Sequence, residues 1–208
     1  MSNQQSSISK FFGVPFRGQT YLNLVYLFLA FPLGLFYFIL VVMGFSLGFG
    51  LIFIVVGLFI LAGTVAACWA CALLERQMAV SLLHEDIPPL KRAAPDGSST
   101  WDQIKTQLAS PVTWKSLAFL LLKFPVGIAT FVILTTLIAL TLGLLTVPIT
   151  YNFFPVEIMH FNGTGIVIDT LWKAFACLLV GVALLFPSLH IFNGLAWVSG
   201  RFARMFFS

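Results

Sequence analysis

Apolar residues in this chain fall in long unbroken blocks, without the alternation of a half-buried strand or the one-sided stripe of a surface helix. From Tyr21 to Leu74 no side chain carries a charge, and the run closes on Leu74-Glu75-Arg76. A bilayer core of ~30 Å takes roughly 20 helical residues per pass, so about 54 uncharged residues suit two crossings. The pattern predicts spans at about 21–43 and 51–74, joined by the glycine-rich reversal Gly44-Phe45-Ser46-Leu47-Gly48-Phe49-Gly50. A third span, at about 112–147, opens on Ser110-Pro111, an N-cap followed by proline in the first turn. Its length allows it to tilt or to protrude. The fourth, at about 170–198, starts after Asp169. The expected fold is therefore an all-α integral membrane domain over residues 21–208 with four transmembrane helices. A cytoplasmic segment 1–20 precedes it, a cytoplasmic loop covers 75–110, and an outer loop covers 148–169.

Composition supports lipid as the solvent: 60% of residues are hydrophobic and 9% charged, against about a quarter charged in soluble domains. Twenty-three Phe, five Trp and four Tyr suit a lipid-facing surface with interfacial aromatics. The net charge of +4 is not a nucleic-acid signal, because the cations flank the apolar blocks. Lys10 and Arg17 precede the first span, and Arg76, Lys91, Arg92, Lys105 and Lys115 lie between the second and third. Arg201 and Arg204 follow the fourth, while the first reversal and the segment 148–169 have none. By the positive-inside rule both termini and the central loop are expected in the cytoplasm, at the cell membrane. No cleavable signal peptide is evident in the polar first twenty residues.

The central loop is too irregular for a globular domain: it holds Pro88-Pro89 and the turn-rich Pro95-Asp96-Gly97-Ser98-Ser99. Arg76 to Leu83 reads as a cytoplasmic extension of the second helix. Trp101, Ile104 and Leu108 form one apolar face opposite Asp102, Lys105 and Gln107, with Thr100 and Gln103 as a capping box. That segment is expected to lie in the headgroup plane.

The halves of the chain match. Leu27-Phe28-Leu29-Ala30-Phe31-Pro32-Leu33-Gly34-Leu35 parallels Leu120-Leu121-Leu122-Lys123-Phe124-Pro125-Val126-Gly127-Ile128, and Phe38 pairs with Phe131 at the same offset. Each half holds two crossings, so parallel two-helix repeats about an axis along the membrane normal are expected. Within each motif, proline removes a backbone hydrogen bond and glycine opens room for a neighbour. Phe31, Pro32, Gly34, Phe124, Pro125 and Gly127 thus mark a helix contact or hinge, the plainer alternative being an ordinary packing kink.

These motifs, with Phe31 to Phe38, Leu73-Leu74-Glu75-Arg76, Ile87-Pro88-Pro89 and Pro111-Val112-Thr113-Trp114-Lys115, make the chain resemble the "Putative sensor" domain. That family is a four-helix membrane module often found N-terminal to bacterial and archaeal histidine kinases. The resemblance runs from about Tyr21 to Arg204. It implies reception of a signal at the membrane, and identifies no ligand-binding residue. No kinase segment lies within the 208 residues; a stand-alone member is expected to pass its signal to a separate kinase or regulator, the alternative being that these residues are a piece of a longer receptor.

Most chemical motifs fail on inspection. His84-Glu85-Asp86-Ile87-Pro88-Pro89 mimics a phosphoacceptor box, but phosphoryl transfer needs a nucleotide site, and the doubled proline ends the helix. Cys68-Trp69-Ala70-Cys71 has redox spacing, yet redox work needs a thiolate, which apolar surroundings disfavour. The pair packs well as small hydrophobes. Glu157 and His160 in the outer segment are too few for a metal site, and Asn162-Gly163-Thr164 is a glycosylation sequon whose use depends on the organism. Lys123 lies about eight residues into its span, roughly 12 Å at helical rise, and can snorkel to the inner surface, so Lys123→Leu is expected to cost little folding stability. His190 and Asn193 should lie at similar depth, giving a candidate polar cluster of Lys123, His190 and Asn193. No carboxylate lies in the expected spans, which argues against a cation-coupled transporter. No nucleotide loop, zincin motif or nucleophile elbow is found, and no enzyme, metal or cofactor is expected.

Two functions remain. One is a membrane-embedded sensor that answers a stimulus in or at the bilayer, passing it on as a homodimer or to a cytoplasmic or membrane partner. The other is a structural or accessory subunit of a transport or respiratory complex.

Overall fold

The computed structural model describes residues 17–84, 86–88, 106, 110–153, 156–161, 164–168 and 170–207. Four helices dominate: α1 (Gly18–Gly50), α2 (Val56–Leu83), α3 (Pro111–Thr150) and α4 (Leu171–Phe207). All four are long and apolar enough to cross a membrane. A 3₁₀ turn (Ile52–Ile54) links α1 to α2, and an antiparallel hairpin of β1 (Val156–Phe161) and β2 (Thr164–Ile168) precedes α4. The interfacial helix expected about Trp101, Ile104 and Leu108, and Asn162 of the sequon, lie outside the described residues.

The first reversal comes later than expected. Residues 44–50 continue α1 as helix, and the chain turns at Leu51–Val55, where Val55 takes φ 56°. Glycine breaks helices in water chiefly by exposing backbone and by its conformational freedom. In lipid the backbone must bond internally, and small residues permit close packing. Here Gly44 faces Thr64 and Gly48 faces Leu61, so a Cβ at either would collide with α2.

Helix α2 runs through Glu75 and Arg76 and stops at Leu83, the end of the extension expected from Arg76 to Leu83; there His84 adopts a left-handed conformation and its N–H bonds to the Ala79 carbonyl. Arg76 then holds the returning chain: its Nε donates to the Pro88 carbonyl at 2.8 Å and Nη2 to that of Ile87 at 2.6 Å. Ile87 is thereby packed into the core.

The helices form two compact units. One holds residues 21–131 with 193–208. Its core gathers Tyr37, Val41, Cys68, Cys71, Ala72, Leu117, Phe119, Leu120, Ala203 and Phe207. Phe119 packs among Phe202, Phe206 and Phe207 with centroids 4.6–5.8 Å apart, joining the end of α4 to the start of α3. Cys68 and Cys71 are buried free thiols in this core.

The other unit centres on 132–192. Gly181 of α4 sits against Leu144 of α3, where a Cβ would meet Leu144 Cβ at 3.0 Å. Thr141 and Ser188 hydroxyls lie 3.5 Å apart, and Ser188 donates to the Leu184 carbonyl just beside Pro187. Val147, Ile168 and Ala174 bury together where the hairpin joins the helices. In the hairpin Val156 pairs with Ile168 and Phe161 with Thr164, with an irregularity between Glu157 and His160. The segment expected as the outer loop thus contains a short sheet, and the fold remains of the all-α membrane class.

Candidate functional site

The Phe-Pro-x-Gly motifs of α1 and α3 meet each other. A Cβ on Gly34 would lie 2.8 Å from the Lys123 carbonyl oxygen and 3.0 Å from Phe124 Cα. On Gly127 it would lie 2.7 Å from the Ala30 carbonyl oxygen and 3.1 Å from Phe31 Cα. Only glycine admits a neighbouring backbone this closely. Phe38 stacks on Phe124 at 4.7 Å, and Phe31 stacks on Phe131 at 4.8 Å. Exchanging matched positions of the two motifs turns each contact into its counterpart, the signature of a self-complementary interface.

The sense of this contact differs from the expectation. Upright parallel helices would place Phe31 beside Phe124 and Phe38 beside Phe131. Here the partners are swapped: later residues of α1 meet earlier residues of α3, so the helices cross in the antiparallel sense. Two spans that start on one side of a membrane run in one direction across it, so a contact of opposite sense between them requires both to lie steeply tilted, and the glycine notches and stacked rings impose that sense here.

Beside the crossing lies a buried polar network. Lys123 Nζ of α3 donates to Glu75 Oε1 of α2 at 2.5 Å and to Tyr26 Oη of α1 at 2.8 Å. Tyr26 in turn donates to Glu75 Oε1 at 2.6 Å, and Tyr37 donates to Oε2 at 3.4 Å. Glu75 is fully buried and Lys123 is 3% exposed. The ammonium also faces the Tyr26 ring at 4.4 Å and the Phe119 ring at 5.9 Å, within cation–π range. Both carboxylate oxygens accept bonds, two of the three ammonium donors are used, and the charges cancel. A buried ion pair is tolerable only under such conditions.

Lys123 therefore does not snorkel. Its stem and head are enclosed by α1, α2 and α3, and a carboxylate inside the helices neutralises it. The absence of an intramembrane carboxylate, expected from ending the second span at Leu74, is corrected by Glu75, so that ground for excluding ion coupling falls away. The signal was present in the sequence: apolar Met78, Ala79, Val80, Leu82 and Leu83 follow Glu75, so the charge lies within a helix and not beyond its end.

Asn193 is drawn to α1, where Asn23 Nδ2 donates to its Oδ1 at 2.9 Å. His190 is half-buried in α4 and belongs to the other unit. Of the three residues in the expected cluster, Lys123 thus joins Glu75, Tyr26 and Tyr37, three side chains that sequence reasoning left aside. Among the described residues no group of three potential metal ligands occurs.

Taken together, these features define a multi-pass membrane protein in which α1 and α3 meet in a self-complementary crossing and a buried ion pair ties α2 to α3. A family model described as "Putative sensor" matches residues 26–206, and the chain belongs to that family. Neither the curated proteins nor the solved structures give a match.

Proposed function

We propose that the protein is a sensor module that receives a stimulus within or at the bilayer and passes it to a cytoplasmic or membrane partner, such as a separate kinase or regulator. The observation that carries this reading is the Glu75–Lys123–Tyr26 network. It ties three helices together by polar bonds where lipid offers no replacement partners, so a rearrangement of the crossing must keep or exchange it as a unit. Such an element has discrete arrangements, and a stimulus biases it only by differing affinity for them. Both termini and the central loop facing the cytoplasm would put the ends of α2 and α4 on the output side, with Arg76 holding Ile87-Pro88 and Arg201 stacked on Trp197 at 5.2 Å. The paired motifs of α1 and α3 support an internal two-hairpin repeat.

The test is the distance between spin labels at the exposed Val80 and Met205, measured by double electron–electron resonance on the full chain in bilayers of differing thickness and headgroup charge. A sensor shows a shift in the distance distribution in at least one condition, and the shift is abolished in Glu75→Gln. One distribution across all bilayers overturns the reading. A second reading, an accessory subunit of a transport or respiratory complex, draws on Gly63, Gly143 and Gly194, helical glycines with open space beside them that suit approach of foreign helices. A stoichiometric complex of foreign subunits in mild detergent favours it; a homodimer or a captured regulator favours the sensor.

A further inference from the structure

We propose that the groove between the later part of α1 and the start of α3 holds one acyl chain of an anionic phospholipid, whose headgroup rests at Lys115. This rests on the sensor reading only in naming what is received; the site itself stands on its lining and its charge. The groove encloses about 470 Å³, within the ~300–1,000 Å³ typical of small-ligand clefts. Its walls include Phe45, Phe49, Trp114 and Leu121, with Ser46 as the single polar side chain. Phe45 and Phe49 stack at 5.9 Å into a flat aromatic wall. Phe49 and Trp114 are 60% and 59% exposed, which leaves the groove open to the surrounding hydrocarbon.

Charge selects the headgroup. The four helices carry Arg76, Lys115, Lys123, Lys173, Arg201 and Arg204 against one carboxylate, Glu75, and Lys123 already consumes that carboxylate. Lys115 is exposed and follows the groove residue Trp114 directly. The Phe119 stack with Phe202, Phe206 and Phe207 brings the end of α4, with exposed Arg201 and Arg204, to the same end of α3. A tryptophan at the mouth beside cations is the arrangement that seats an interfacial headgroup. A zwitterionic lipid would fill the groove without answering these charges.

Native mass spectrometry of the full chain in mild detergent tests this, with phosphatidylglycerol and phosphatidylcholine of identical chains as the probes. Wild type should retain one phosphatidylglycerol, about fivefold in preference to phosphatidylcholine, the weight of one cation near an anionic surface. Ala118→Phe and Ser46→Phe, filling the groove from opposite walls, should each reduce retention to background, whereas Lys115→Gln should keep a bound lipid and lose the headgroup preference. If one filling variant does not fold, the other and the wild-type preference still decide. Equal retention in folded filling variants, no preference for phosphatidylglycerol in wild type, or a lipid-free dimer occupying the groove would each overturn the site. Because retention is read without any output, an intact site together with an unchanged Val80–Met205 distance would support this inference and refute the sensor reading alone.

Discussion

Replacing Lys123 by leucine leaves Glu75 without its cation in a site from which water is excluded. The side chain that remains fits sterically, so the penalty is electrostatic. Removing one partner of a buried ion pair costs about 3–5 kcal/mol. Lys123→Leu is therefore expected to lose about 3–5 kcal/mol, a large part of the 5–15 kcal/mol that typically holds a folded protein together. Glu75→Gln should lose a comparable amount, because it strands the lysine. The double variant should recover to within about 1–2 kcal/mol of wild type, since an uncharged replacement of both partners is often neutral. In it, Tyr26 and Tyr37 still have the glutamine carbonyl to donate to. Steric-trapping measurements of unfolding in bicelles, run as a double-mutant cycle, give the coupling directly. A single-variant loss under about 1 kcal/mol, or a double-variant loss equal to the two singles together, would refute the account of a dry, mutually dependent pair.

Tyr26→Phe removes a hydroxyl that both accepts from Lys123 and donates to Glu75, and should cost about 1.5–3 kcal/mol in the same measurement. Gly34→Ala or Gly127→Ala would push a methyl group into the facing backbone, costing about 1–3 kcal/mol by overpacking, whereas Gly63→Ala, with open space beside it, should be neutral or stabilising by thermal denaturation. Cysteines at Phe31 and Phe131, or at Phe38 and Phe124, in a background without native cysteine should crosslink under mild oxidation. Pairs at Phe31 and Phe124, or at Phe38 and Phe131, should not, and the opposite outcome would restore an upright parallel packing of the two helices.

The four spans were legible because lipid imposes a blunt requirement, a long stretch without charge, that the residues 21–74 advertise plainly. Their ends were less so. Gly44, Gly48 and Gly50 read as a turn by rules learned in water, whereas in this fold the first two accommodate α2. Glu75 reads as the water boundary because charge ordinarily marks it, and its three-dimensional partners Lys123 and Tyr26 show why it lies inside. The matched Phe-Pro-x-Gly motifs announced a contact, but not its sense, since one-dimensional spacing carries no crossing angle. The β1–β2 hairpin did leave a trace in the sequence, where the dipeptide Asn162-Gly163 between apolar and β-branched residues is a strong hairpin signal, overshadowed by its reading as a sequon. Asn23 had no comparable signal, because a lone amide near a helix start announces no partner.

A surface that recognises its own image is indiscriminate: each helical hairpin, freed from the other, would present both plug and socket to any identical copy. What breaks the tie is that Ala30 stands where Lys123 stands in the other half. Two first halves would leave Glu75 without a counter-ion, and two second halves would leave Lys123 stranded, so only the unlike union is electrically satisfied. The ion pair thus works as a mating code. A chain severed within residues 89–105 should reassemble from its two pieces in preference to either piece pairing with itself.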